Sequence, residues 1–497
     1  MRQIYKLPLF VIAVLIISNC VGTYQQRPIL APEEKLARQI DLQIAEPELQ
    51  TALVGVMVQS AETGEIIYQR NANTLMLPAS NEKIVTSIAA LLKLGPDFQY
   101  KTEIYTTGQI EDGVLTGDLV IVGSGDPTFS YRFCEENARC FVFQSWADSL
   151  HARGIHTING NIIGIDDVFD DEFIGYGWSA NNLSYAYSAQ IGGLMFNENK
   201  AQLILNADSS GEYLNISVIP DLGYLKLQPD LEINADKTEI SVDRRMETNL
   251  IRIKGKIQPG FQTKENLSIH DPTQYFLAGL KWELIRQGIK IYGDPIDADL
   301  VAGREKLSGK KPLFTHTSPP FKDVLKILMK ESQNLYAESL VKLLGNKFGN
   351  KGSFAEGEKV VKETLQRFGL DANSYSYMDG SGLCRYNYIS PALIVKLLRN
   401  MHYHPYGEVF RQSLPIAGVD GTIRSRMKGT VAQNNIFAKT GTISNARCLS
   451  GYATTKDGET LVFSTMFNNF ICSVNVVMDI QDRICMLLTA FSRKNVD

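Results

Sequence analysis

Two apolar, β-branched-rich runs, Leu53 to Ser60 and Glu65 to Arg70, flank a polar turn ending in Gly64, and the pattern predicts a hairpin. A helix is predicted next, opening around Ser80 after Pro78, with Ile84, Val85, Ile88, Leu91 and Leu92 on one face and a stop at Gly95-Pro96. Beyond Phe98 the texture changes to short alternating strands, such as Tyr100 to Thr107 and Gly117 to Val122, and this β-rich character runs to about Arg252. One helix, from about Thr273 to Gln287, interrupts the return. Helical spacing resumes near Phe321 to Lys330, Asn334 to Phe348, Phe354 to Phe368 and Pro391 to Met401. Two strands, Ser450 to Thr454 and Leu461 to Phe467, then turn about Lys456-Asp457-Gly458, before a helix carrying Val476, Val477, Ile480, Ile484, Leu487 and Leu488. Both ends share strand-plus-helix character and the middle does not, so the pattern predicts an α/β domain split by a long β-rich insertion.

At about 100 to 200 residues per domain, the 497 residues hold two to four domains. Hydrophobic residues at 44%, charged residues at 21% and a mean hydropathy of -0.10 exclude a multi-span membrane protein and a disordered chain. Lys plus Arg number 50 against 54 Asp plus Glu, and a net charge of -4 offers no global attraction to nucleic acid. Residues 1 to 20 change the picture: Arg2 and Lys6 precede an apolar stretch, Leu7 to Ile17, that stops at Cys20, as in an export signal. Ile17-Ser18-Asn19-Cys20 resembles a lipobox, in which Cys20 carries lipid and ties the chain to a membrane, although Asn19 departs from the Gly, Ala or Ser usual there. Plain secretion and an uncleaved anchor are the alternatives, and all three place the body outside the cytoplasm, in the periplasm or cell envelope. Export permits disulfides, and of seven cysteines Cys134 and Cys140 share one polar loop that could close locally. Cys485 reads as a small core hydrophobe, and no Cys or His spacing is of the metal type.

The chain has no G-x-S-x-G, no H-E-x-x-H and no phosphate-binding loop. It has four S-x-x-K pairs, Ser80/Lys83, Ser308/Lys311, Ser339/Lys342 and Ser425/Lys428, and context must choose among them. Ser80 alone opens a helix, where free N–H groups favour negative charge and Lys83 falls one turn on along the same face. A neutral Lys83 amine could take the seryl proton, provided that burial and a second cation lower its pKa. Lys439-Thr440-Gly441-Thr442 holds the only K-T-G, just before the paired C-terminal strands. Its glycine would leave room for a substrate along a strand edge, with Lys439 and the threonine hydroxyls holding a carboxylate. Ser332-Gln333-Asn334 lies between two helical segments and offers a hydroxyl for proton relay and an amide for a substrate carbonyl.

In this order the three motifs resemble the penicillin-binding proteins and serine β-lactamases, and most closely the class C low-molecular-mass penicillin-binding proteins, the D-Ala-D-Ala carboxypeptidase/endopeptidase group. The resemblance spans Leu53 to the C-terminal helix. It is carried further by Pro78-Ala79-Ser80-Asn81-Glu82-Lys83, Gly125-Asp126-Pro127, Phe196-Asn197-Glu198-Asn199, Asp379-Gly380-Ser381-Gly382-Leu383 and Pro415-Ile416-Ala417-Gly418-Val419-Asp420-Gly421-Thr422, and by the 252 residues separating Ser80 from Ser332. Cys384 departs from the family's usual Ser.

The resemblance implies an α+β multidomain protein. A transpeptidase-like domain of the β-lactamase type, an antiparallel sheet flanked by helices, would occupy 27–98 and 314–497, split by a long insertion containing two β-rich domains, at 99–197 with 265–313 and at 198–264. It implies Ser80 as nucleophile, Lys83 as base, Ser332 and Asn334 in relay and substrate holding, and Lys439 with Thr440, Gly441 and Thr442 at the substrate carboxylate. The backbone N–H groups of Ser80 and Thr442 would form the oxyanion hole. Peptidoglycan stem peptides would be the substrates and β-lactams acylating inhibitors, with no cofactor, no metal and no nucleic acid. The stretch Asp379 to Leu383 is open to two readings, a tight turn or support for the site. A silent peptidoglycan-binding scaffold and a serine β-lactamase are the alternatives for the whole chain, the latter set against by its length and the absence of an added deacylation base.

Overall fold

In the computed structural model, which describes residues 30–133, 143–233, 236–301, 307 and 309–494, strand Leu53–Ser60 alternates its side chains between two cores. Val54, Val56 and Val58 join one apolar cluster and Met57 the other, the period of two that a strand buried on both faces requires. Strands Ala446–Thr454 and Thr460–Asn468 do the same, with Leu449, Phe463 and Phe467 on one side and Tyr452, Val462 and Met466 on the other. The five-stranded sheet runs Ile436–Ile443, Ala446–Thr454, Thr460–Asn468, Leu53–Ser60, Ile66–Arg70. Every pairing in it is antiparallel, so the domain is α+β rather than the α/β class suggested by the apolar pattern. Helices Pro32–Ile44 and Val474–Ala490 cover one face through Leu36, Ile40, Val477, Ile480, Ile484 and Cys485. Helices Glu82–Leu94, Phe321–Lys330, Asn334–Phe348, Phe354–Arg367 and Pro391–His402 build the core on the other.

Between these halves lies the insertion. An aromatic core of Phe129, Phe143, Trp146, Tyr275 and Phe276 joins helices Gln144–His151 and Pro272–Arg286 to a five-stranded and a four-stranded sheet. A smaller cluster around Leu203, Leu205, Ile251 and Ile253 joins two three-stranded sheets. One expected boundary falls inside a strand, and another separates a strand from the sheet it pairs with. Gln262–Ser268 pairs along its whole length with Lys200–Asn206, so position 264 divides a continuous ladder. Phe314–Thr317 pairs with Lys101–Ile104 and belongs to the insertion's sheet rather than opening the second half of the first domain. Helices Pro32–Ile44, Gln144–His151 and Gly407–Ser413 were not expected from periodicity, the last two being only two turns long. Cys20 and the expected export signal, and the Cys134 and Cys140 pair, lie outside the described residues. Among those described, Cys384, Cys448, Cys472 and Cys485 are free thiols. No helix among the described residues is long and apolar enough to cross a membrane.

Candidate active site

Ser80 sits in a single 3-10 turn, Ala79–Asn81, that leads into helix Glu82–Leu94, so it precedes the α-helix that the spacing has it open. The turn is fixed against the edge strand Ile436–Ile443 by Asn81, whose amide donates to the Lys439 carbonyl at 3.1 Å. Gly441 is required here: a Cβ at that position would lie 2.5 Å from the Pro78 carbonyl oxygen. Its missing side chain thus accommodates the Ser80 turn, where the sequence suggests room for substrate. The K-T-G motif lies within this strand, not before the pair. Alternation is hidden at Ala438 to Gly441, because all four are buried.

Helix Glu82–Leu94 is buried over almost its whole circumference, and with it Lys83, which has no solvent exposure. Lys83 Nζ donates to Ser80 Oγ at 3.0 Å, to Asn334 Oδ1 at 2.5 Å and to the Ser381 carbonyl at 2.7 Å. Burial brings its pKa down to about 7, against the pull of Glu338, Asp379 and Glu82. The expected second cation is not among the causes. Lys439, equally buried, is itself pushed well down, first by burial and then by Lys83 and Arg447. Its Nζ donates to Ser332 Oγ at 2.7 Å and to the Thr440 carbonyl at 2.9 Å.

The structure therefore brings the three motifs together around two buried amines: Ser80, Lys83 and Asn334 about one, Ser332 and Lys439 about the other. Thr440 donates to Thr422 Oγ1 at 2.8 Å, and the exposed Thr442 hydroxyl accepts from Arg447 across the strand pair. A cavity of about 460 Å³ opens over them, lined by Ser80, Ser332, Asn334, Thr422, Thr440 and Thr442 together with Tyr187, Gly382 and Arg385.

The loop at Asp379 to Leu383 is both a tight turn and a floor for the site. Gly382, at a φ of 82°, packs where a Cβ would strike the Ala79 carbonyl oxygen. Buried Glu338 accepts from the N–H groups of Gly380 and Ser381 at 3.0 and 2.8 Å, which aims the Ser381 carbonyl at Lys83. Asp379 accepts from Gly382 N, Cys384 N and Trp178 Nε1 at 2.8, 2.6 and 2.9 Å. Burial, with Asp379 close by, pushes the Glu338 carboxyl well above the usual carboxylate range. Sequence reasoning missed Asn81, Tyr187, Glu338, Arg385 and Thr422 as site residues. Asn81 and Thr422 lie inside stretches already singled out, and Arg385 follows one; the signals for Tyr187 and Glu338 exist only in three dimensions.

Chemically, an amine held near 7 at hydrogen-bond distance from a hydroxyl can take its proton. Residues 36–491 match the sequence profile of the D-Ala-D-Ala carboxypeptidase 3 (S13) family. The D-alanyl-D-alanine carboxypeptidase of Actinomadura sp. (strain R39) is 30% identical over 473 residues, 92% of this chain and 85% of that protein. D-alanyl-D-alanine carboxypeptidase DacB of Haemophilus influenzae is 28% identical over 427 residues, 84% of this chain and 85% of that one. The crystal structure of penicillin binding protein 4 (dacB) from Haemophilus influenzae superposes with a TM-score of 0.76 at 25% identity, covering 92% of this chain and 98% of that one.

Proposed function

The chain belongs to the D-Ala-D-Ala carboxypeptidase 3 (S13) family, and from that premise we propose that it cleaves D-Ala-D-Ala stem peptides of peptidoglycan through an acyl-enzyme on Ser80. The observation that carries this reading is the 3.0 Å approach of the fully buried Lys83 Nζ to Ser80 Oγ. Neutral Lys83 takes the seryl proton as Oγ attacks the penultimate D-Ala carbonyl. The N–H groups of Ser80 and Thr442 receive the oxyanion. The proton passes to the departing amine, through Ser332 and Lys439 in relay, and water then releases the shortened peptide and frees Ser80. Asn334 holds a substrate amide, while Lys439, Thr440 and Thr442 face the terminal carboxylate, with Gly441 keeping the strand close to the Ser80 turn. Opening a cross-link is the same acyl transfer with a larger leaving amine, and release rates from a linear pentapeptide and a cross-linked dimer rank the two activities.

β-Lactams mimic the acyl donor, and the name of the 25% identical penicillin binding protein 4 supports acylation of this chain by them. The test is intact mass before and after benzylpenicillin, with peptide mapping. One penicilloyl adduct on the Ser80 peptide is expected, together with slow nitrocefin turnover. An adduct elsewhere overturns the assignment; no adduct with inert nitrocefin favours the scaffold, and rapid turnover favours a β-lactamase.

The same proposal takes the chain to the cell envelope, with residues 1–20 as an export signal, Cys20 as the lipidated anchor and Cys134 with Cys140 as a local disulfide. It keeps a split catalytic domain with two inserted domains, the borders moved to the strand ends described above. Palmitate labelling of the wild type and of Cys20→Ala tests the anchor.

A further inference from the structure

The insertion reaches the S-x-N motif through one strained turn. Asn197, Glu198 and Asn199 adopt consecutive left-handed φ values of 47°, 57° and 47°, a conformation that non-glycine residues keep only where the surroundings impose it. Here the surroundings do. Asn197 N donates to the Phe129 carbonyl at 2.7 Å, and the Asn199 side chain accepts from Phe196 N at 3.1 Å and donates to the Gln190 carbonyl at 2.8 Å. The flanking segment is clamped between two cores: Ala189, Ile191 and Met195 pack with helices Glu82–Leu94 and Asn334–Phe348, whereas Leu194 and Phe196 pack in the aromatic core of the insertion.

What the turn presents is Glu198, only 2% exposed. Its carboxylate accepts from Arg132, Lys200 and the side-chain amide of Gln333. Gln333 is the middle residue of the S-x-N motif, and its neighbour Ser332 is also left-handed, at a φ of 57°. On the other side of the same loop, Asn334 Nδ2 donates to the Tyr187 carbonyl at 2.7 Å. The short link between helices Phe321–Lys330 and Asn334–Phe348 is thus held from outside its own domain at two successive residues.

We propose that Glu198 is a positioning residue for acyl transfer: by fixing Gln333 it holds Ser332 in the left-handed conformation that sets its Oγ against Lys439 and keeps Asn334 against Lys83. The inference rests on the reading of Ser80, Lys83, Ser332 and Lys439 as the acyl-transfer site, and it gives the inserted region a task in that site. A carboxylate already fixed by two cations is a rigid acceptor, so it can impose a backbone conformation on a flexible partner. Without it, Ser332 relaxes toward the right-handed region and its hydroxyl leaves Lys439.

The test compares Glu198→Gln, Gln333→Met and Gln333→Lys in the full chain. Gln333→Met removes the donor to Glu198 without stripping Arg132 and Lys200 of their partner, so it keeps the fold. Gln333→Lys restores a donor of similar reach. For Gln333→Met, the first-order rate of Ser80 acylation at saturating benzylpenicillin is expected to fall on the order of 10-fold or more, the range of a small misplacement of reacting groups. The half-saturating drug concentration should change by less than about threefold. Gln333→Lys is expected to recover most of the rate, and Glu198→Gln to fall between. Hydrogen exchange of residues 328–336 should accelerate in Gln333→Met and not in Gln333→Lys. Wild-type acylation rate and unchanged exchange in Gln333→Met overturn the proposal, as does a Glu198→Gln variant that loses thermal stability alone. If the wild type itself gains no adduct on Ser80, the acyl-transfer reading fails, and the exchange measurement still decides whether Glu198 orders the loop.

Discussion

Two S-x-x-K pairs in this chain bury their lysines completely, and only one of them sets its serine on the cavity. In the first, Lys83 meets a hydroxyl, an amide oxygen and a backbone carbonyl, and among the described residues no ion pair reaches its nitrogen. In the second, Lys342 meets Asp170 at 2.8 Å and also the Asp170 carbonyl at 2.9 Å, with its ammonium over the Phe354 ring at 4.7 Å. Burial lowers both pKa values, but the Asp170 carboxylate pulls Lys342 back toward the charged form. The serines differ in the same sense. Ser80 faces the cavity, while Ser339 is fully buried and donates back along its own helix to the Tyr336 carbonyl at 3.0 Å. Spacing brings a lysine onto the face of a serine, but the neighbours decide whether the amine is a base or a counter-ion.

Removing the two lysines in turn breaks this comparison most sharply. Lys83→Ala is expected to slow acylation by benzylpenicillin about a thousandfold, the span of a lost general base, with an unchanged circular dichroism spectrum. An adduct forming at the wild-type rate would remove Lys83 from the chemistry. Lys342→Met should leave the acylation rate within twofold and instead lower stability by about 3 kcal/mol, because Asp170 stays largely buried with only Lys351 at 3.3 Å to balance it. Urea denaturation reads that loss, and a slowed acylation in folded protein would argue that the second pair also serves the site.

The motifs and four of the five strands of the split domain's sheet were legible because they are local, carried by spacing, periodicity and turn residues, whereas the edge strand Ile436–Ile443 and the pairing of the sequence-distant strands Leu53–Ser60 and Thr460–Asn468 were not. The burial of Lys83 was not, since it arises from helix Glu82–Leu94 being enclosed by elements more than 200 residues away. The same holds for Glu338, whose carboxylate looks like an ordinary helical surface charge in sequence and turns out to pin the Ser381 carbonyl beneath Lys83. Gly441 lies at the strand edge the sequence suggests, against a neighbour the sequence does not show. Its strand edge is present, but the atom that excludes a side chain is the Pro78 carbonyl oxygen. Domain borders near 264 and 314 were lost for a plainer reason: the strand that crosses the first and the strand that starts at the second have mixed, half-exposed faces, and only their ladders assign them to a sheet.

Protonation sharpens the comparison over a smaller range. Lys83 acts as a base only when neutral, and its pKa lies near 7, so the first-order acylation rate should rise with pH, by about tenfold between pH 6 and 8, and level off above. The direction follows from the depressed pKa: an ordinary lysine would keep the rate climbing past pH 9. Lys342 takes no part, so Lys342→Met should show the same profile. A flat profile, or one inflecting near pH 10, would mean that burial does not set the state of Lys83.

Ser339→Ala should have the smallest effect, and it isolates what a serine contributes when its lysine is a counter-ion. The substitution deletes a hydroxyl that donates to the Tyr336 carbonyl, at a cost of about 1 kcal/mol, and gains roughly half of that in helix propensity because Ser is a poorer helix former than Ala. The net change in denaturation free energy should stay within about 1 kcal/mol, with acylation unaltered. Ser80→Ala makes the same chemical change at a position where the hydroxyl has no helix carbonyl to serve. There it should abolish the adduct while moving stability no further than Ser339→Ala does. If Ser339→Ala instead cost several kcal/mol, its Oγ would belong to the buried polar network around Asp170, and the two pairs would share more than a spacing.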